Sequence, residues 1–376
     1  MESETISPSL PSADARQRFA SVYRVLDEAI AARAFPGCAF GVLNSRGVVL
    51  EDARGHFTYD EGAPSVRAET VFDVASLTKV VATTAAAMVL SERGELDMDT
   101  PLGELLPGFV VGRDASEAAR FVKLGHLLAH NSGLPGYVEF FRTTTTPAQL
   151  FRACLGLKLE ADPGALAEYS DPGFILLGKA LEVLTREYLA TWVRREIFTP
   201  LGMKATCFCP PQSLRAAIPP TEEDRTLRHR RIQGEVQDEH AWILKGAAGH
   251  AGLFSNVPDL LRFVAAILDG VRGAAAGENE SRLFGAGTVE FFARRQSPEG
   301  SSRALGWDTP SEPSSSGKFF SKHSIGHLGY SGCSLWIDLD AEVAVVLLTN
   351  RTWPDRKSQL IKQIRPVFHD AVRGAL

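Results

Sequence analysis

The chain is poor in cysteine: five residues in 376, at Cys38, Cys154, Cys207, Cys209 and Cys333. They are scattered and odd in number, which argues against a disulfide framework and suits reduced thiols in a cytosol. Cys207-Phe208-Cys209 lacks a second pair to complete four metal ligands. Long apolar runs are absent too. The stretch from Val80 to Leu90 is among the longest and is too short to span a bilayer. Charge of one sign is not concentrated. The formal net charge is −5, and the one basic run, Arg225 to Arg231, is short and isolated and reads as a solvated loop. Nucleic-acid and membrane partners are therefore not expected. The first residues, Met1-Glu2-Ser3-Glu4-Thr5-Ile6-Ser7-Pro8, are acidic and polar where a signal peptide is basic and then apolar, so a cytoplasmic protein is expected. No GxSxG nucleophile elbow occurs, and no internal repeat.

What is present is an ordinary globular composition, 44% hydrophobic and 23% charged, enough for a sizeable core. Residues 1–13 read as a disordered leader and 14–376 as a single domain. Apolar residues at Phe19, Val22, Val25, Leu26 and Ile30 have helical spacing over 14–34. Residues 37–43 and 47–51 read as two strands joined by a turn at Asn44-Ser45-Arg46-Gly47. From about 71 to 215 helical patterns alternate with Pro/Gly breaks. The last third returns to strands: 253–255 before a capped helix from Val257, a closing hairpin of 334–337 with 343–348, and a final helix over about 358–373. Strands at both ends with helices between predict an α/β (α+β) fold: an antiparallel sheet built from both termini and flanked by helices, with a mainly helical lobe inserted. The sheet lobe covers about 14–65 and 240–376 and the helical lobe about 66–239. A ligand site is expected in the cleft between them.

The chain is organised around 71–90, an extended run that turns into an Ala-rich apolar helix ending near Gly94, a natural left-handed C-cap. Ser76 and Lys79 stand three apart at its start and share one face. A serine hydroxyl becomes a nucleophile when a neighbouring base takes its proton, and a lysine serves if burial lowers its pKa. About one Ser-x-x-Lys match arises by chance in a chain this long. A second, Ser315-Ser316-Gly317-Lys318, lies in a Pro/Ser/Gly-rich loop with nothing to bury a lysine. Two other matches carry little. Gly173 to Lys179 has phosphate-loop spacing, but Ala180 replaces the Mg²⁺-binding hydroxyl and the interior is core-like, so it reads as a buried helix. His126 and His130 are four apart on a helix but lack the glutamate of HExxH. Glu168-Tyr169-Ser170-Asp171-Pro172-Gly173 is a polar turn before an apolar helix, with Asp171 as N-cap. Gly326-His327-Leu328-Gly329-Tyr330-Ser331-Gly332 is a glycine-dense strand start, where a ligand can approach the backbone.

Ser76-Leu77-Thr78-Lys79, Tyr169-Ser170-Asp171 and His327-Leu328-Gly329, in that order, resemble the three signature elements of the penicillin-binding-protein and serine β-lactamase superfamily. The likeness is greatest to its class C-like branch and covers roughly 15–370. His126 to Pro135, Ile197 to Met203, Ala248 to Ser255 and Ala304 to Asp308 also resemble that branch. The resemblance implies a β-lactamase/transpeptidase-like fold and a serine hydrolase working through an acyl-enzyme, without metal or cofactor. It implies Ser76 as nucleophile, Lys79 and Tyr169 as general base and proton relay, and the N–H groups of Ser76 and Tyr330 as oxyanion hole. Asp171, His327, Leu328 and Gly329 would bind substrate. His327 stands where many members have lysine, so its positive charge should fade above about pH 6.5. Asp171 stands where β-lactamases have asparagine, and Leu328 where a hydroxyl helps bind a carboxylate. The implied substrate is a small ester, a D-Ala-type muropeptide or, weakly, a β-lactam. A catalytically weak descendant that binds a peptide or partner without turnover is the alternative. The sequence leaves the oligomeric state open.

Overall fold

The structure, a computed structural model, describes residues 13–112, 114, 117–276 and 283–376. The leader expected over 1–13 lies, apart from Ala13, outside the described residues. Ten strands are described: β1 (Gly37–Asn44), β2 (Gly47–Gly55), β3 (Phe72–Asp73), β4 (Cys207–Phe208), β5 (Pro220–Asp224), β6 (Arg230–Gln233), β7 (Leu253–Ser255), β8 (Ser324–Leu328), β9 (Ser334–Asp338) and β10 (Val343–Thr349). The main sheet has the order β2-β1-β10-β9-β8, and its neighbours are antiparallel. The chain's first hairpin thus pairs with its last strand, Cys38 opposite Thr349 through Leu43 opposite Ala344.

Period-two alternation sends side chains to both faces, and both are buried. On one face Phe40, Val42, Trp336, Val345 and Leu347 meet the helices Ala20–Ala31 and Ile361–Gly374. On the other, Ala39, Leu335, Ile337, Val346 and Leu348 join a core that continues into the helical part of the molecule. The long helix Val257–Ala276 lies on that face and crosses β1 at Gly41, where a Cβ would stand 2.5 Å from Val257.

Chain from the middle and the last third meets in a second sheet, β3-β7-β4, in which Phe72 faces Ser255 and Asp73 faces Phe254. The run 225–231, read as a solvated loop, forms the connection of the β5–β6 hairpin over 225–229 and the start of β6, and it is exposed at Arg225, Thr226, His229, Arg230 and Arg231, with the Arg228 side chain turned inward. Arg228 is buried there, 2.8 Å from the equally buried carboxylate of Asp224, which offsets the cost of enclosing either charge alone. The phosphate-loop match lies in the buried helix Asp171–Thr185, and Gly178 in it is a packing site. A Cβ on it would stand 2.8 Å from the Cα of Gly249, so two backbones touch where a side chain would hold them apart. No helix among the described residues is long and apolar enough to cross a membrane.

Candidate active site

From Phe72 to Leu90 every residue is buried except Ser76. The turn that exposes it is held from three sides. The buried carboxylate of Asp73 accepts the N–H of Ala75 at 2.9 Å and that of Gln237 at 2.8 Å. Thr78 Oγ1 donates to the carbonyl of Ala75 at 2.6 Å and accepts the Leu253 N–H at 3.1 Å. Ser331 Oγ donates to the carbonyl of Asp73 at 2.8 Å. Ala75 has φ +48°, a left-handed conformation that costs a non-glycine residue about 1 kcal/mol or more and persists only where its surroundings fix it. The helix that follows is π-wound over Lys79–Thr84 and α-helical over Ala85–Glu92. Such local widening is common at functional sites, and no residue pattern in 71–90 announces it.

Lys79 is fully buried, yet its Nζ meets three acceptors: Asp171 Oδ1 at 2.7 Å, Ser76 Oγ at 3.0 Å and the His250 carbonyl at 3.1 Å. Three donors matched to three acceptors is the pattern of an ammonium. Burial pushes the lysine pKa down, but the charge of Asp171, with Tyr169 beside it, more than offsets this and leaves it above the ordinary value. The expectation that burial would make Lys79 a ready base is corrected accordingly: it is the cationic half of an ion pair.

Asp171 is not the N-cap of its helix. Ser170 caps it, its Oγ accepting the Gly173 N–H at 3.1 Å and donating to the Pro135 carbonyl at 2.7 Å. With the cap supplied by Ser170, the Asp171 carboxylate is free to reach Lys79. Tyr169 precedes it, its ring centroid 4.8 Å from Lys79 Nζ. Burial raises the phenol pKa, against the opposing pull of Lys79 and a hydrogen bond with Ser76. His130 orders this segment: its Nδ1 accepts the Ser170 N–H at 2.9 Å, and its ring lies between those of Tyr169 and Phe174, 4.6 and 4.8 Å away. The sequence presents His130 as a candidate metal ligand and as part of the family-like stretch His126 to Pro135, without a positioning role. Its positioning contact is made across forty residues and leaves no local signal.

The third element is the end of β8 and the turn after it. Gly329 packs directly behind the Ser76 turn, where a Cβ would stand 2.6 Å from the carbonyl of Val74. Among the described residues, neither the Ser76 nor the Tyr330 N–H donates to another protein group. The Tyr330 backbone is fixed from behind, its carbonyl accepting from Arg351 Nε at 2.8 Å. His327 does not carry the charge expected of it. Burial, with Lys79 and Arg303 adding to it, holds its pKa well below the ordinary histidine value. Its Nδ1 must bear the proton, since it lies 2.8 Å from the Leu328 carbonyl, which only accepts. A second cation beside Tyr169, with Lys79, is Arg303, 5.3 Å from the ring centroid, which the sequence did not reveal.

A cavity of about 520 Å³ opens in front of Ser76, lined also by Tyr137, Phe141, Tyr169, Asp171, Tyr330 and Arg356. His327, Leu328 and Gly329 do not line it. Carboxylates do: Asp73, Glu139, Asp171, Glu222, Asp238 and Glu239, against the cations Arg142 and Arg356. Even with Arg142 paired to Glu139 at 2.7 Å, Arg356 to Glu222 and Glu239 at 2.6 and 2.8 Å, and Lys79 to Asp171 at 2.7 Å, the carboxylates outnumber the cations. The wall is therefore acidic. Asp238, His240 and His250 are the His/carboxylate group close enough to share a metal ion among the described residues.

A two-faced antiparallel sheet, an inserted helical part and a buried lysine beside a half-buried serine define the β-lactamase/transpeptidase-like fold and its hydrolases. The Beta-lactamase family profile matches residues 22–365, and the chain belongs to that family. A Salmonella typhimurium protein provisionally named a D-alanyl-D-alanine carboxypeptidase is 29% identical over 350 residues, covering 84% of this chain and 79% of that one. Among solved structures, the hydrolase EstCE1, described as having promiscuous acyltransferase activity, superposes with a TM-score of 0.76 at 22% identity, covering 96% of this chain and 100% of its own. An octameric penicillin-binding protein homologue from Pyrococcus abyssi gives a TM-score of 0.69 at 21% identity, covering 88% and 73%. These two likenesses speak to the fold.

Proposed function

We propose that this protein is a serine hydrolase that cleaves small neutral esters through an acyl-enzyme on Ser76. The observation that carries this reading is the partly exposed hydroxyl of Ser76 at an otherwise buried helix start, 3.0 Å from an ion-paired, fully buried lysine. Attack by Ser76 Oγ on the ester carbonyl forms the acyl C–O bond. The serine proton passes into the Tyr169–Lys79 pair and leaves it on the departing alkoxide, and water then reverses the path to free the acid. Because Lys79 rests as an ammonium, the accepting form is the pair with one proton removed, as phenolate with ammonium or phenol with amine, and its pKa belongs to the pair. The Ser76 and Tyr330 N–H groups, which have no other acceptor among the described residues, serve as the oxyanion hole.

The acidic wall selects among the substrates that the family suggests. A penicillin or a peptide ending in D-alanine brings a carboxylate, which the lining disfavours; a neutral ester does not. The D-alanyl peptide, suggested by the provisional name of the Salmonella relative, is therefore the lesser substrate. Asp171 also cannot donate the hydrogen bond that asparagine would offer to an acylamino carbonyl. The five thiols are free, in keeping with a cytoplasmic setting.

The test is intact-mass measurement after exposure to a fluorophosphonate and to p-nitrophenyl acetate. We expect one adduct on Ser76, none on Ser76→Ala, and an unchanged melting temperature for that variant. Absence of an adduct on folded wild type would instead favour a protein that binds without turnover. For selectivity, kcat/KM for a p-nitrophenyl ester should exceed that for a penicillin by at least about tenfold, or about 1.4 kcal/mol of transition-state stabilisation. Faster penicillin turnover would refute the reading of the acidic wall.

A further inference from the structure

Beside the serine cavity lies a group of side chains that the acyl-transfer chemistry does not use. Asp238 caps the short helix Glu239–Ile243, Oδ1 accepting the Ala241 N–H at 2.7 Å, and the same oxygen lies 2.8 Å from His250 Nε2. His240 follows two residues on. It is 1% exposed, and neither ring nitrogen has a hydrogen-bond partner. His250, also 1% exposed, leaves its Nδ1 without one. A neutral imidazole always carries an N–H, so His240, enclosed with both nitrogens unmatched, is a buried polar group without the partner that burial normally demands. Three donor atoms, one from each of Asp238, His240 and His250, lie within 4.8 Å of one another.

We propose that Asp238, His240 and His250 form a binding site for one divalent transition-metal ion, Zn²⁺ in preference to Mg²⁺ or Ca²⁺. Two imidazoles and a carboxylate are the donors that suit zinc, whereas magnesium and calcium take oxygen. Ligands of a tetrahedral zinc ion sit about 2.0–2.2 Å from the metal and so about 3.4 Å from one another, and the donor atoms, within 4.8 Å of one another, would have to draw together on binding. The surroundings have the features of a prepared site. The Ala241 N–H orients the carboxylate, and the rings of Tyr137, Phe140 and Phe141 enclose His240 at 5.3, 5.7 and 6.0 Å. Asp238 lines the cavity in front of Ser76, so the group borders that cavity on one side. The carbonyl of His250 accepts from Lys79 Nζ at 3.1 Å, which ties the backbone of one ligand to the serine site. The ion takes no part in forming or breaking the acyl bond, so the site stands or falls apart from the serine hydrolase reading.

Metal-stripped full-length protein is titrated with Zn²⁺ by calorimetry and with Co²⁺ by visible absorption. We expect one Zn²⁺ per chain, unaffected by excess Mg²⁺. The Co²⁺ complex should show the d–d bands of a four- or five-coordinate nitrogen/oxygen site without a thiolate charge-transfer band. His240→Phe, which keeps an aromatic ring among aromatic neighbours, should weaken Zn²⁺ binding by at least about tenfold. Cys209→Ser, at the exposed thiol, should leave it unchanged. The proposal is overturned by no binding to wild type, by a thiolate band, by loss of binding in Cys209→Ser, or by wild-type affinity in folded His240→Phe. If His240→Phe does not fold, the wild-type Co²⁺ spectrum decides alone: the pattern of octahedral, water-ligated cobalt overturns the site.

Discussion

Lys79 shows how a single residue's role is set by its partners. A lysine at the start of an apolar helix should lose its proton, because burial disfavours the charge. The carboxylate of Asp171, 2.7 Å away, reverses the sign. The partner is ninety-two residues distant in the chain, and the sequence suggested the pairing only through the family likeness. Asp171→Asn removes the charge that holds the proton on Lys79. The lysine pKa then falls, the reactive form of the Lys79–Tyr169 pair is present at lower pH, and the rising limb of the pH–rate profile moves to lower pH by about one unit or more. Ester hydrolysis measured from pH 5 to 10 reads this directly, and an unmoved limb would show that the ion pair does not govern the base. His327 is the counter-example. Its charge was expected from residue type, and burial beside Lys79 and Arg303 removes it.

Among elements, the Ser76 turn is shaped as much by the loop after β8 as by its own residues. Gly329 allows that loop to lie against Val74, two residues before the nucleophile. Gly329→Ala places a methyl 2.6 Å from the Val74 carbonyl, so one backbone must yield. Overpacking of this kind costs about 1–3 kcal/mol. The expected result is a lower melting temperature and at least about tenfold lower kcat/KM for esters, because the Ser76 and Tyr330 N–H groups lose their common alignment. A variant that melts lower yet retains full kcat/KM would show that the turn tolerates the shift. Glycine density at 326–332 was legible, but the object approaching that backbone is the protein's own Val74 carbonyl, which no local pattern reveals.

Across the whole molecule, the nucleophile turn is pinned where β3, β7 and the segment carrying Gln237 converge, and the pin is a buried carboxylate. Burial raises the Asp73 pKa to about 6, against the two N–H groups that it accepts. A carboxyl whose folded pKa lies above its unfolded value binds more protons when folded. Its contribution is therefore favourable at low pH and is lost as pH rises through about 6. Between pH 5 and pH 8 this one group should lower the unfolding free energy by about 1.4 kcal/mol. Asp73→Asn cannot titrate, so urea unfolding at the two pH values should show its deficit relative to wild type shrinking by about that amount. A constant deficit would show that Asp73 ionises as freely in the folded protein as in the unfolded chain.

By itself the sequence determined the sheet from both ends of the chain, the helix behind Ser76 and the loop character of Ser315 to Lys318, because periodicity, turn residues and apolar runs act over a few neighbours. Composition and spacing also sufficed to bring Ser76 and Lys79 onto one helical face. Tertiary structure alone decided the protonation of Lys79 and His327, the cap at Ser170 in place of Asp171, the support from His130, the cation at Arg303 and the acidic wall of the cavity. Each depends on which charges and backbones meet across tens to hundreds of residues, and electrostatic and packing energies are set by distance in space. The same holds for Asp238, His240 and His250: ordinary residues along the chain, they become a prospective metal site only when folding encloses them together.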